Sequence, residues 1–353
     1  MSLNGAEHGW HGWHGWHGWH GWHGWSGQQG DGGGGAMAGL QSSAQALLPA
    51  AGHGPLPAAG VANLAPNAPG NMARWAPDVR GHLLGQAFAS RLTYAADAAT
   101  GAVTVSLDGA AIWRSTRPTE ATMASQTVLV RNYIDQRGDR GAEILSQTGF
   151  FGEYFALFLG LSGARNPKTY ELLAHVQNLS GAVSMMPKHM MACRRPDELD
   201  LRVAPLIPTP GHSAYPSGHA TQSFAMATVL AALARSVPGH FPDLDKRIDL
   251  LYRQAHRIAA NRTVAGVHYP MDSLAGGTLG QQVGRALVGM MSGNLPAIAP
   301  ANLDPNAEPG RDFLPGDIAP PPAAPAGAAQ RDPLFGWLWD QARAEFALAA
   351  AGA

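Results

Sequence analysis

The chain has 353 residues with a hydrophobic share of 45%, enough for one large domain or two small ones. Only 14% of residues are charged and the formal net charge is −1, so no basic field exists to hold nucleic acid or an anionic membrane surface. The single cysteine, Cys193, excludes a disulfide framework, a four-cysteine zinc site and a Cys-x-x-Cys redox pair.

No apolar run reaches bilayer length, so no membrane span is expected, and no secretory leader is visible. These features predict a soluble protein, cytoplasmic or exported by a route the sequence does not display. In chain order, residues 8–25 are six copies of His-Gly-Trp, and residues 1–72 read as a disordered low-complexity extension that builds no core. Histidine-rich tracts can hold divalent metals, but no site is placed there. Val103, Val105 and Leu107 alternate with Thr104 and Ser106 and stop at Asp108-Gly109, the pattern of a strand or hairpin edge. Helical periodicity then predicts helices over 119–136 and 141–161, and a third from 167 or 168 past Val183. Three more follow over 217–235, 243–265 and 271–292. The Pro/Ala-rich stretch 295–330 reads as a linker, and a helical tail over 331–353 carries Leu334, Phe335, Leu338, Trp339 and Phe346 as a docking stripe. The expected fold is therefore mainly α, a single helical bundle over 73–294 between disordered flanks.

Three short segments place charged groups in otherwise apolar surroundings. In the first, Lys188 and Arg195 are seven apart and share one face if the segment is helical, with Pro196 as the stop. The second runs from His212 through Pro216, Ser217, Gly218 and His219 into an apolar helix. Its free backbone N–H groups and dipole end suit an oxyanion, with the Ser217 hydroxyl as a further donor and Gly218 permitting close approach; Ser217 also has the makings of a plain N-cap. In the third, Arg262 precedes His268 and Asp272, and Gly266 and Pro270 break the helix between them, turning His268 back toward the same pocket. Asp272 can then accept from one imidazole nitrogen and fix the tautomer of the other.

Together the segments spell Lys-x6-Arg-Pro, Pro-Ser-Gly-His and Arg-x5-His-x3-Asp, ten specified positions in order. This resembles the superfamily of type 2 phosphatidic acid phosphatases, bacterial class A acid phosphatases and vanadium haloperoxidases. The resemblance implies that Lys188, Arg195 and Arg262, with Ser217 and the Gly218 N–H, bind the non-reacting oxygens of vanadate or phosphate. It further implies that His268 attacks phosphorus or ligates vanadium, that Asp272 orients it, and that His219 is the acid/base.

The stretches 212–222 and 262–269 are similar to the corresponding parts of vanadium bromoperoxidases, which carry a second histidine where this chain has His212. The reading favoured is a vanadate-dependent haloperoxidase, with vanadate as cofactor and with hydrogen peroxide and bromide or iodide as substrates. Met185 stands where haloperoxidases often have Trp or Arg, and their chains are commonly longer, with a second bundle or extensive oligomer contacts, which leaves a homo-oligomer open here. The alternatives are a soluble acid phosphatase acting on phosphate monoesters through a phosphohistidine, and a non-catalytic oxyanion-binding protein. Asn261, where the phosphatase pattern usually has Ser, tilts away from the first. The presence of both histidines tilts away from the second.

Overall fold

The centre of the molecule is a helix buried along most of its length. The computed structural model describes residues 63–66 and 68–351; the expectations for the His-Gly-Trp repeat lie outside them. Two short helices, α1 (Pro69–Arg74) and α2 (Pro77–Ala89), lead into the strands β1 (Leu92–Asp97), β2 (Ala102–Leu107) and β3 (Ala110–Thr116). Then come α3 (Glu120–Asn132), α4 (Arg137–Ser146), α5 (Glu153–Leu159), α6 (Pro167–Met191) and the single turn α7 (Pro196–Leu199). The long helices α8 (Gly218–Arg235), α9 (Leu244–Val264) and α10 (Pro270–Ser292) follow. Strands β4 (Asn294–Pro296), β5 (Ala301–Leu303) and β6 (Pro325–Ala328) precede the last helix, α11 (Pro333–Ala351).

Helix α8 is buried on nearly every side and is wrapped by α6, α9 and α10, with the hydroxyls of Thr221, Ser223 and Thr228 bonded to backbone carbonyls. Its contact with α10 is closest because α10 turns a stripe of glycines toward it. A Cβ on Gly276 would lie 2.2 Å from Ser217 O, and one on Gly280 would lie 2.1 Å from Thr221 O. We therefore expect Gly280→Ala to lower stability by roughly 1–3 kcal/mol through overpacking, although Ala is the better helix former. Thermal unfolding checks this; an unchanged or raised melting temperature would contradict the close crossing.

The hairpin forecast holds. β2 and β3 pair antiparallel, and Asp108 (φ 50°) and Gly109 (φ 80°) make the turn with two left-handed residues, the type I′ pattern. The fold is mainly helical, but a four-stranded sheet in the order β1-β2-β3-β5 accompanies the helices, so a bundle alone does not describe it. β5 comes from the stretch read as a linker and pairs parallel with β3. Phe313 and Ile318 from the same stretch are buried, because apolar residues spaced among prolines still find the core. The tail docks through Phe335, Leu338, Trp339 and Phe346. Glu345 also accepts from the Lys168 (2.6 Å) and Thr169 (2.9 Å) N–H groups, capping the start of α6 with a carboxylate.

Two helices differ from expectation. The 119–136 helix stops at Asn132, and the helix expected over 141–161 is two, α4 and α5. The intervening 147–152 segment holds Gly149 and Gly152, where helical order is weakest.

Candidate active site

The three motif segments meet where α6 ends, α8 begins and α9 gives way to α10. Lys188 lies in the last turn of α6, and Ala192 then takes a left-handed conformation (φ 48°) that ends the helix. Arg195 is thus not on the same helix as Lys188, correcting the shared-face argument; it sits in extended backbone before α7. The two still converge, because residues 193–195 turn back along 212–214. Ala214 N–H donates to Cys193 O at 3.0 Å, and Cys193 N–H donates to Ser213 Oγ at 2.8 Å. Buried Cys193 serves as a small filler there.

Ser217 is the N-cap of α8, accepting from Ala220 N–H at 3.4 Å, which leaves its hydroxyl proton free to be donated. Its own N–H donates to Asp272 O at 2.9 Å, tying the start of α8 to the start of α10. Gly218 opens the helix beside Lys188; a Cβ there would lie 3.9 Å from Lys188 Cε, in the space above the lysine chain. Arg262 is in the last turn of α9, and Gly266 (φ 84°) reverses the chain so that His268 faces back.

Lys188, Arg195 and Arg262 are each 1% exposed, so none is a solvated surface charge. Lys188 Nζ donates to Ser213 O (2.9 Å) and Ala214 O (3.0 Å). Arg195 donates from Nε to His212 O (2.9 Å) and from Nη1 to Val267 O (2.6 Å). Its Nη1 also lies 3.1 Å from His268 Nε2, and its Nη2 lies 3.0 Å from His212 Nδ1. A guanidinium only donates, so His268 Nε2 carries a lone pair and Nδ1 carries the proton, given to Asp272 Oδ2 at 2.8 Å. Asp272 Oδ2 also accepts from Tyr269 N–H at 3.0 Å. His219 Nε2 donates to Gln147 O at 3.0 Å, leaving Nδ1 as the acceptor, and its ring stacks on Phe151 at 5.6 Å. Arg262 Nη2 donates to Ile144 O and Gln147 Oε1, both at 3.0 Å, while its Nε and Nη1 are buried without a protein partner.

The electrostatics follow from three buried cations with one carboxylate among them. Burial, then the Arg195 and Lys188 charges, hold the His268 imidazole well below its usual range, and His212 and His219 act on it too. Burial and the charges of Lys188 and Arg195 bring His212 down to about 3; burial and Arg262 do the same for His219. Burial and the Arg195 charge also push Lys188 well down. Burial raises Asp272 to about 7, against the pull of the Tyr269 N–H and the neighbouring cations. Buried cations and imidazoles held neutral thus share one pocket, an arrangement whose charge suits an anion.

These shifts fix the acid behaviour of the fold. Below the ordinary imidazole value of 6.5 the unfolded chain protonates His212, His219 and His268 while the folded one does not, so stability falls with pH down toward about 3. Asp272 acts with the opposite sign between about 7 and 3.8, since the folded state binds its proton first. Three imidazoles against one carboxyl give a net loss, and the melting temperature is expected to drop as pH is lowered from about 6.5 to about 4. A melting temperature that rose on acidification would contradict the assignment.

All nine residues singled out in the sequence are brought together. Sequence reasoning missed Gln147, which touches both Arg262 and His219, and Phe151 under His219. It also missed Arg137, which donates to Val264 O (2.9 Å), Ala204 O (2.7 Å) and Val203 O (2.8 Å) and so braces the turn before His268. None of these lies in a recognisable motif.

Residues 172–295, which include all three motif segments, match the PAP2 superfamily. A vanadium-dependent bromoperoxidase from Ascophyllum nodosum is 36% identical over a stretch that covers 21% of this chain and only 17% of that enzyme. Among solved structures, a transmembrane PAP2-type phosphatidylglycerolphosphate phosphatase from Bacillus subtilis aligns at a TM-score of 0.35 with 20% identity, covering 47% of this chain and 83% of that one. No helix among the described residues is long and apolar enough to cross a membrane.

Proposed function

We propose that this chain is a vanadate-dependent haloperoxidase, oxidising bromide or iodide with hydrogen peroxide to the hypohalous acid while peroxide is reduced to water. The observation that carries this reading is His212. It lies within the cationic pocket, with Nδ1 on the Arg195 guanidinium that also reaches His268. A phosphoryl pocket with one nucleophile and one acid/base has no need of a third imidazole. The bromoperoxidase of Ascophyllum nodosum, matched over a short stretch, supports the same reading.

The residues fit an oxyanion. Arg262 presents two buried nitrogens, Nε and Nη1, whose N–H groups have no acceptor, an arrangement that is costly unless an anion supplies one. Lys188, Arg195, Arg262, the Ser217 hydroxyl and the Gly218 N–H would hold vanadate oxygens, and His268 Nε2 would be the ligand to the metal. Bound vanadate supplies a Lewis acid that activates peroxide without changing oxidation state. His219 Nδ1 is the lone pair available to take or return a proton. The cations that keep this imidazole neutral in the free site would be offset by a bound anion, bringing the ring back toward a useful range.

The competing reading is an acid phosphatase built on the same cradle, favoured by Met185 in place of the residue expected beside a halide. The sign of the orthovanadate effect separates the two. A peroxidase gains halide oxidation on loading, and His212→Ala then lowers bromide oxidation far more than any aryl phosphate hydrolysis. Inhibition of phosphate hydrolysis by vanadate, with no halide oxidation, would overturn the proposal.

A further inference from the structure

We propose that Gln147 is a positioning residue of the oxyanion cradle, aiming Arg262 through a neutral amide so that the guanidinium keeps its whole charge for the anion. This rests on the oxyanion-site reading above.

Gln147 is fully buried in the break between α4 and α5. Its Oε1 accepts from Arg262 Nη2 and from Asn261 Nδ2, both at 3.0 Å. Both partners can only donate, so the orientation of the Gln147 amide is determined, with oxygen toward α9. Its Nε2 donates to Glu143 Oε1 at 3.0 Å. Its main-chain carbonyl accepts from His219 Nε2 at 3.0 Å. One residue therefore touches the arginine and the acid/base histidine from two different atoms.

The chemistry of the side chain matters as much as its place. A carboxylate in this position would also hold Arg262, but as an ion pair, and the charge offered to a bound anion would be offset. The amide fixes the fork without that offset. The carboxylate of Glu143 bonds to the amide and, at 2.6 Å, to Arg257, so its charge reaches Arg262 through space and not as a direct partner. Asn261 acquires a role here as well. It shares the Gln147 oxygen through Nδ2, while its Oδ1 accepts from Arg140 Nη1 at 3.2 Å. Serine at that position is too short to make both bonds.

The test is calorimetric titration of inorganic phosphate into the full-length wild type, Gln147→Glu and Gln147→Met, at several values between about pH 5 and pH 8. Gln147→Glu is expected to bind phosphate about 10- to 100-fold more weakly at the upper end. The deficit should shrink as pH falls and the introduced carboxyl takes up a proton. That carboxyl would face Arg262 and Asn261 on α9 and Glu143 on α4, with Arg257 and Arg140 behind and His219 of α8 on the main-chain carbonyl of the same residue. Gln147→Met, similar in shape but without the acceptor, is expected to bind about tenfold more weakly at every pH. A merely structural role would give equal losses in both variants with no pH dependence, and that result would overturn the proposal. So would wild-type affinity in Gln147→Met. Failure of the wild type itself to bind phosphate or orthovanadate would be a different result, sinking the oxyanion reading and this inference with it.

Discussion

Replacing His268 with alanine is expected to lower turnover about 10³-fold or more while the protein still folds. The first half follows from position. His268 Nε2 is a lone pair held between Arg195 and the rest of the cradle, with its tautomer set by the 2.8 Å bond from Nδ1 to Asp272. No other imidazole in the site has a carboxylate behind it, so none can take over. The second half follows from Asp272. Removing one partner of a buried pair is normally severe because it strands a charge. Here burial already lifts Asp272 to about 7, and it keeps the Tyr269 N–H. Without His268 the carboxyl can take a proton and remain as a neutral, hydrogen-bonded group. The measurements are steady-state turnover and thermal unfolding on the same preparation. A variant retaining more than about a tenth of wild-type turnover would remove His268 from the chemistry in either the peroxidase or the phosphatase reading.

How much of this was legible beforehand depended on whether the signal was local. The three motifs gave the cations, both histidines and Asp272 because backbone chemistry fixes the short spacings: a cap at Ser217, a left-handed turn at Gly266, a proline at the head of α10. Lys188 and Arg195 are neighbours because the left-handed Ala192 and a non-local pairing with 212–214 bring them together, not because they share a helix face. Gln147 was not legible because the partners of its amide oxygen lie 114 and 115 positions away, and no motif surrounds it. The sheet was half visible. Alternation exposed β2, but β5 is only three residues long and exists because β3 offers it an edge. Likewise, Phe313 and Ile318 were hidden in a proline-rich stretch whose composition says linker and whose apolar residues say otherwise.

Arg262 yields the prediction with two opposed signs. Its guanidinium is buried, anchored through Nη2 alone, with Nε and Nη1 lacking acceptors, and burial brings it down to about 10. Such a group destabilises the empty protein and stabilises the anion-bound one. Arg262→Met, of comparable length and without the charge, is therefore expected to leave the melting temperature unchanged or raise it in the absence of anion, because unpaired buried donors are removed. The same change should lower kcat/KM about 10²- to 10³-fold, the loss typical of one donor to developing oxyanion charge. Arg262→Lys should not restore it, since a single ammonium cannot hold Ile144 O and Gln147 Oε1 and still present the in-plane N–H groups of Nε and Nη1. The decisive measurement is the rise in melting temperature produced by saturating phosphate or orthovanadate, which wild type should show and Arg262→Met should largely lose. If the methionine variant keeps that rise, the anion binds elsewhere, and the convergence of cations around His268 has another purpose.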